Sequence, residues 1–195
     1  MDKPSRVLKA ALPFVAAALT IGMIGCATEA CAANSVVTGS TNSAMTPEVK
    51  LVDDYNTWFI GQLFSGDVEK LKAGLSHYIT NETVLHEAPS LPWGGTMVGY
   101  DGWERLTRLS DPIWAKVASE LDVSPPTYYQ HGNVVLHEIT MTIKATKEAP
   151  TPFVMSIIER YTVENGRIKQ IDEFYADTAA LLARFRTLKA IPDEP

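Results

Sequence analysis

The stretch Phe153 to Tyr175, FVMSIIERYTVENGRIKQIDEFY, decides the fold. Side chains alternate across a strand. Phe153, Met155, Ile157, Glu159, Tyr161 and Val163 therefore share one face of a strand over 153–163. Asn165-Gly166 is a hairpin turn, because the favoured two-residue turn needs positive φ at both central positions. A second strand over 168–175 follows, placing Ile171, Glu173 and Tyr175 on one face.

Working outward, Val134–Lys144 is another long strand, with Val135, His137, Ile139, Met141 and Ile143 on its more apolar face. A shorter strand lies within Pro126–Gln130, joined to it by a turn at His131-Gly132-Asn133. After the hairpin, Asp177 caps a closing helix carrying Leu181, Leu182 and Phe185. Upstream, Thr46-Pro47 starts a helix with Val49, Val52, Tyr55, Phe59 and Leu63 at helical spacing. Gly66 ends it, and Asp67 caps a short helix bearing Val68, Leu71 and Leu75. Thr83–Glu87 reads as a strand and Pro89–Gly99 as a loop. Asp101 and Glu104 have capping-box spacing for a helix with Trp103, Leu106 and Leu109. Pro112 begins a further turn after Asp111, with Ile113, Val117 and Leu121 continuing the stripe. Helices first, then an antiparallel meander, predict an α+β domain with helices packed on one face of a bent sheet.

The ends of the chain read differently. Lys3, Arg6 and Lys9 precede an apolar run over 10–24, too short and too rich in small residues for a membrane span. This is the order of an export signal, over residues 1–32. Two cleavage sites compete. Met23-Ile24-Gly25-Cys26 reads as a lipobox that puts a lipid on Cys26; Ala30-Cys31-Ala32 reads as an ordinary signal-peptidase site. The competing reading takes Met45 as the first residue. The expectation is an exported protein, periplasmic or anchored as a lipoprotein, touching a membrane only through that lipid. Both cysteines lie in this leader, so ordinary cleavage leaves no disulfide or Cys nucleophile. Residues 33–46 are rich in Ser, Thr, Asn, Ala and Gly and read as a flexible linker before a domain at 47–190. The 195-residue chain carries a net charge of −6 and no basic block, which argues against nucleic acid.

Chemistry is expected where titratable residues fall on apolar strand faces, since a buried acid is costly unless paired. Glu159 and His137 meet that description, and burial is expected to raise the Glu159 pKa. Glu173 falls either beside Glu159 or at the sheet edge, and Tyr175 shares its face. In the first strand Val84 and His86 share one face, Leu85 and Glu87 the other. Glu87 thus points away from His86. Tyr55, Trp58, Phe59, Trp93, Met141 and Tyr161 are the expected apolar walls of a pocket, Trp93 as lid or loop packing. No nucleophile elbow, phosphate-binding loop or short metal-ligand spacing occurs, and neither a metal nor a cofactor is expected.

Several local motifs carry a family likeness. Phe64-Ser65-Gly66-Asp67 is similar to a Gly-Asp turn between two helices. Leu91-Pro92-Trp93-Gly94-Gly95-Thr96 with Gly99 is similar to a loop written "PyGGtyrG". Ile158-Glu159-Arg160-Tyr161, Asn165-Gly166-Arg167-Ile168 and Asp177-Thr178 match a closing hairpin and helix start. Together, from about Val49 to Phe185, the chain resembles the SnoaL-like branch of the nuclear transport factor 2-like superfamily. The resemblance implies a cone: a curved antiparallel sheet wrapped on N-terminal helices around one internal pocket. The superfamily includes cyclases, isomerases, dehydratases, lyases and non-catalytic carriers, so fold does not give function. By motif, His86 falls near the base of ketosteroid isomerase and Glu159 at its protonated acid, while Phe59 replaces its helical tyrosine and cannot donate a hydrogen bond. The expected function is cofactor-free acid–base proton transfer, with elimination, isomerisation, cyclisation or carbon–carbon cleavage, on a small apolar, aromatic or polycyclic organic molecule, with His86 as base and Glu159 as acid or orienting group, assisted by His137 or Tyr175. The rival is a non-catalytic envelope module binding a hydrophobic molecule or a protein. Titratable groups on the pocket floor distinguish the enzyme from the binder. The resemblance also implies a homodimer through the outer sheet face.

Overall fold

A computed structural model describes residues 35–37, 45–62 and 68–193. The export signal with Cys26, and the Gly66-Asp67 turn, lie outside the described residues. Strand β1 (Ser35–Val37) falls within the segment expected as a linker. Helix α1 (Pro47–Gln62) begins where Thr46 Oγ1 accepts from the Val49 amide at 3.2 Å, a side-chain cap. Helix α2 (Val68–Leu75) follows, then β2 (Val84–Glu87), β3 (Gly95–Val98) and α3 (Gly99–Trp114). One 3₁₀ turn leads into β4 (Leu121–Val123), then β5 (Thr127–His131), β6 (Val134–Ile143), β7 (Phe153–Glu164), β8 (Arg167–Tyr175) and α4 (Thr178–Thr187).

The strands form one unclosed sheet in the order β1-β5-β6-β7-β8-β2-β3, with β4 beside β5 on the free side of β6. The pairs are antiparallel except β2 with β8, which is parallel. The β7–β8 hairpin turns at Asn165 (φ 51°) and Gly166 (φ 70°), as the sequence requires. Asp177 Oδ1 accepts from the Ala180 amide at 2.8 Å, capping α4 as expected. Arg184 of α4 is buried, and its guanidinium donates to the carbonyls of Ile143, Lys144, Ala149 and Thr151, fastening the helix over the β6–β7 connection.

Three local expectations are corrected. The 89–99 segment holds strand β3, which pairs with β2 at Leu85–Met97 and Glu87–Gly95. Helix α3 starts two residues before Asp101, at Gly99, whose φ of 59° and tight approach to the Asn81 backbone exclude a side chain. Asp101 and Glu104 are therefore not a capping box; both reach Lys72 of α2, at 3.4 and 2.7 Å. Pro112 continues α3 rather than starting a new turn, and Leu121 opens β4 instead of extending a helical stripe.

Val49, Val52 and Tyr55 of α1, Trp103 and Leu106 of α3, and Leu181 and Phe185 of α4 form one core with the inner face of the sheet. Full burial of each large side chain contributes roughly 1.5–3 kcal/mol. Among the described residues no helix is long and apolar enough to cross a membrane.

Candidate functional site

The strand registers align titratable groups across one rung of the inner face. His137 on β6 faces Glu159 on β7, and Glu159 faces Glu173 on β8. On the parallel neighbour β2, Leu85 pairs with Ile171 and His86 with Asp172, which brings Glu87 alongside Glu173. The rung thus reads His137, Glu159, Glu173, Glu87 across four strands. It forms the polar side of a cavity of about 220 Å³. The other walls are mostly apolar, including Phe59 of α1, Leu106 and Trp114 of α3, and Met141 of β6.

The rung contains two linked pairs. His137 Nδ1 lies 2.6 Å from Glu159 Oε2. The Tyr161 hydroxyl lies 2.7 Å from the same oxygen and 2.9 Å from Asn56 Oδ1. Asn56 is held in turn by its amide, which donates to the Val52 carbonyl. The second pair is Glu173 and Glu87, hydrogen-bonded to each other. The Tyr175 hydroxyl donates to Glu173 Oε2 at 2.7 Å and lies 3.1 Å from Glu87 Oε2.

Burial pushes the Glu87 carboxyl up to about 7, against the pull of its hydrogen bonds to Glu173, Tyr175 and Trp93. Burial, reinforced by the charges of Glu87 and Glu159, holds Glu173 well above the ordinary carboxylate range. Two like groups in contact cannot both ionise cheaply, so the pair keeps a shared proton at neutral pH. Burial likewise raises Tyr55, Tyr161 and Tyr175, which stay neutral.

The structure brings together Glu159, His137, Glu173, Tyr175, Phe59, Trp93 and Met141 at the cavity. It does not bring His86 there. The burial pattern of β2 turns Leu85 and Glu87 inward, and the His86 side chain, 48% exposed, lies on the outer face 3.5 Å from Asp172. The expected base is thereby corrected, and its inward neighbour Glu87 stands at the cavity. Tyr55, Trp58 and Tyr161 are not wall residues. Tyr55 accepts from the Trp103 indole at 2.9 Å within the core. Trp58 packs against Tyr78 and over Gly74, where a Cβ would meet its ring. Tyr161 stands behind Glu159 and fixes it. Trp93 is a fixed wall, 1% exposed and packed against Trp114 and Phe185. Sequence reading missed Asn56, Ser110 and Trp114, which line the cavity. Only Trp114 carried a signal, as an aromatic at the end of the α3 apolar stripe. Among the described residues no group of three or more His, Cys, Asp or Glu is arranged to hold a metal ion.

No family model matches the chain, and no curated protein matches it in sequence. Solved structures do match its fold. TerC co-crystallised with polyporic acid superposes with a TM-score of 0.54 at 14% identity, over 72% of this chain and 99% of that one. An NTF2-like protein of unknown function from Burkholderia pseudomallei K96243 gives 0.53 at 17% identity, over 71% and 97%. A protein described as a SnoaL-like polyketide cyclase from Jannaschia sp. CCS1 gives 0.48 at 14%, over 79% and 100%. The fold is the nuclear transport factor 2-like cone, as the sequence motifs implied.

Proposed function

We propose that the chain is a cofactor-independent enzyme of the lyase or isomerase class, moving protons on a small apolar organic substrate. The observation that carries this reading is the rung of three carboxyls and one histidine set into a mostly apolar cavity. A carboxyl held near 7 can both take and give a proton at neutral pH. Glu87 takes the base role that the resemblance gave to His86. Glu173, which retains its proton, is the acid, and Tyr175 connects the two. The Glu159–His137 pair orients the substrate or relays the proton. Because Phe59 offers no donor, charge developing on a substrate oxygen is met by Glu173 rather than by a helical tyrosine. Proton abstraction of this kind opens elimination, isomerisation, cyclisation and carbon–carbon cleavage alike. TerC, a fold neighbour co-crystallised with polyporic acid, supports a small organic molecule as occupant.

Mass spectrometry of molecules extracted from the purified full-length chain supplies the substrate or product. Its conversion, or its deuterium uptake from D₂O, is expected to fall about 10²–10⁴-fold in Glu87→Gln and in Glu173→Gln. Undiminished turnover in both variants defeats the reading.

Two further expectations belong to the same proposal. The charged, apolar, small-residue order of 1–32 supports export, with Cys26 lipidated or the leader removed. The exposed Val154, Ile158 and Phe174 on the outer face support a homodimer, tested by light scattering during size-exclusion chromatography.

A further inference from the structure

We infer that the cavity selects a cation: a small apolar amine whose ammonium docks against Glu87 and Glu173, while carboxylate ligands are rejected. The inference rests on the cavity being the ligand site, and it adds the charge of the ligand.

Glu87, Glu159 and Glu173 line the cavity, and none of its described lining residues is Lys or Arg. His137 is already held by Glu159 at 2.6 Å. The nearest buried guanidinium, Arg184, is engaged with four main-chain carbonyls. Arg160 is engaged with Asp172 on the opposite face of the sheet. The Glu87–Glu173 pair therefore has no counter-cation from the protein and is kept neutral enough to be buried by sharing a proton. A ligand ammonium supplies the missing charge and three donors in its place. An incoming carboxylate meets three acids, with His137 already bonded to one of them and no Lys or Arg in the lining.

Ser110 adds a second polar contact. It is 4% exposed and lines the cavity, where its hydroxyl can accept from a ligand N–H. Size narrows the ligand further. About 220 Å³ lies below the roughly 300–1,000 Å³ of drug-sized sites, which suits a one-ring amine. Phe59, Leu106 and Trp114 provide the surface for its hydrocarbon part.

The groups facing the acid pair are Glu159 from β7, His137 from β6, Tyr175 from β8 and Trp93 from its loop, while α1 and α3 contribute only the neutral Asn56 and Ser110 among polar residues. Docking an ammonium there expels up to about one proton to the buffer.

The test is calorimetry on the full-length chain at neutral pH with three near-isosteres: phenethylamine, phenethyl alcohol and phenylacetate. The amine is expected to bind at least about tenfold more tightly than the alcohol, the step of one charge-assisted hydrogen bond, with phenylacetate weakest. Buffers of different ionisation enthalpy should show proton release with the amine alone. Amine affinity should rise between about pH 6 and pH 8, where the pair loses its proton and the ammonium keeps its own. Glu87→Gln and Glu173→Gln, checked for folding by circular dichroism, should reduce the preference for the amine to less than about threefold. Alcohol or phenylacetate binding as tightly as the amine overturns the inference, as does no amine binding up to about 10 mM. Either failure, with proton exchange on the extracted molecule still dependent on Glu87 and Glu173, leaves the proposed acid–base function standing. Loss of that dependence defeats the function itself.

Discussion

The two faces of one sheet handle buried acids in opposite ways. On the outer face, Asp172 is 8% exposed, yet it is matched: Arg160 Nη2 lies 2.7 Å away, its Nε donates at 2.9 Å, and the Gln170 amide adds 2.9 and 3.0 Å contacts. On the inner face, one residue along β8, Glu173 has no cation and is kept protonated by burial beside Glu87. The two acids are chain neighbours on opposite faces of β8. What separates them is what each can reach. An acid matched by a guanidinium is a structural pair. An acid left to share its proton, at the wall of a cavity, stores a proton where a substrate can use it.

The sharpest way to break this comparison is to neutralise each acid in turn. Glu173→Gln should lower turnover of the extracted substrate by about 10²-fold or more, whereas Asp172→Asn should leave it within about twofold. Equal losses in both would erase the distinction. A second effect is thermodynamic. Glu87 and Glu173 bind their protons more tightly folded than unfolded, so their contribution to stability is fully present below pH 4.5 and is lost as pH rises toward and through the folded values, about 7 for Glu87. The slope is at most about 1.4 kcal/mol per pH unit for each proton retained. Urea denaturation of the double variant Glu87→Gln/Glu173→Gln should flatten the loss between pH 5 and pH 7, and an unchanged slope would contradict the shared proton. Third, Asp172→Ala should cost about 0.5–1.5 kcal/mol by removing its hydrogen bonds to Arg160, whose half-exposed side chain can turn to water, and to Gln170, read from the same denaturation curves. The smallest effect is expected at the outer histidine. His86→Ala should change stability by less than about 0.5 kcal/mol and leave turnover intact. A large loss of turnover there would restore the base suggested by the family resemblance.

Much of the fold was legible because its signals are local. The alternation over 153–163, the Asn165-Gly166 turn and the Asp177 cap each depend on a few adjacent residues, and each stands where the sequence put it. The misses are non-local. Strand β3 is four residues of a Gly-rich segment, Gly95–Val98, and exists because β2 offers it a partner. Helix α3 begins at Gly99 because the backbone of Asn81 closes in on it, not because Asp101 caps it.

The site divides the same way. Alternation along β7 and β6 was enough to turn Glu159 and His137 inward, because each shares a face with four or more apolar residues. Along β2 it was not. Val84 and His86 balance Leu85 and Glu87, one apolar and one titratable residue on each face, so the four residues contain no preference. The parallel pairing of β2 with β8 decides it by setting Leu85 beside Ile171 in the core, which carries Glu87 in and His86 out. Local pattern set the long strands β6, β7 and β8, their hairpin and the presence of acids on apolar faces, but not β1, β3 or β4. Only the tertiary structure decided which acids meet, because a shared proton depends on two carboxyls brought together from strands more than eighty residues apart in the chain.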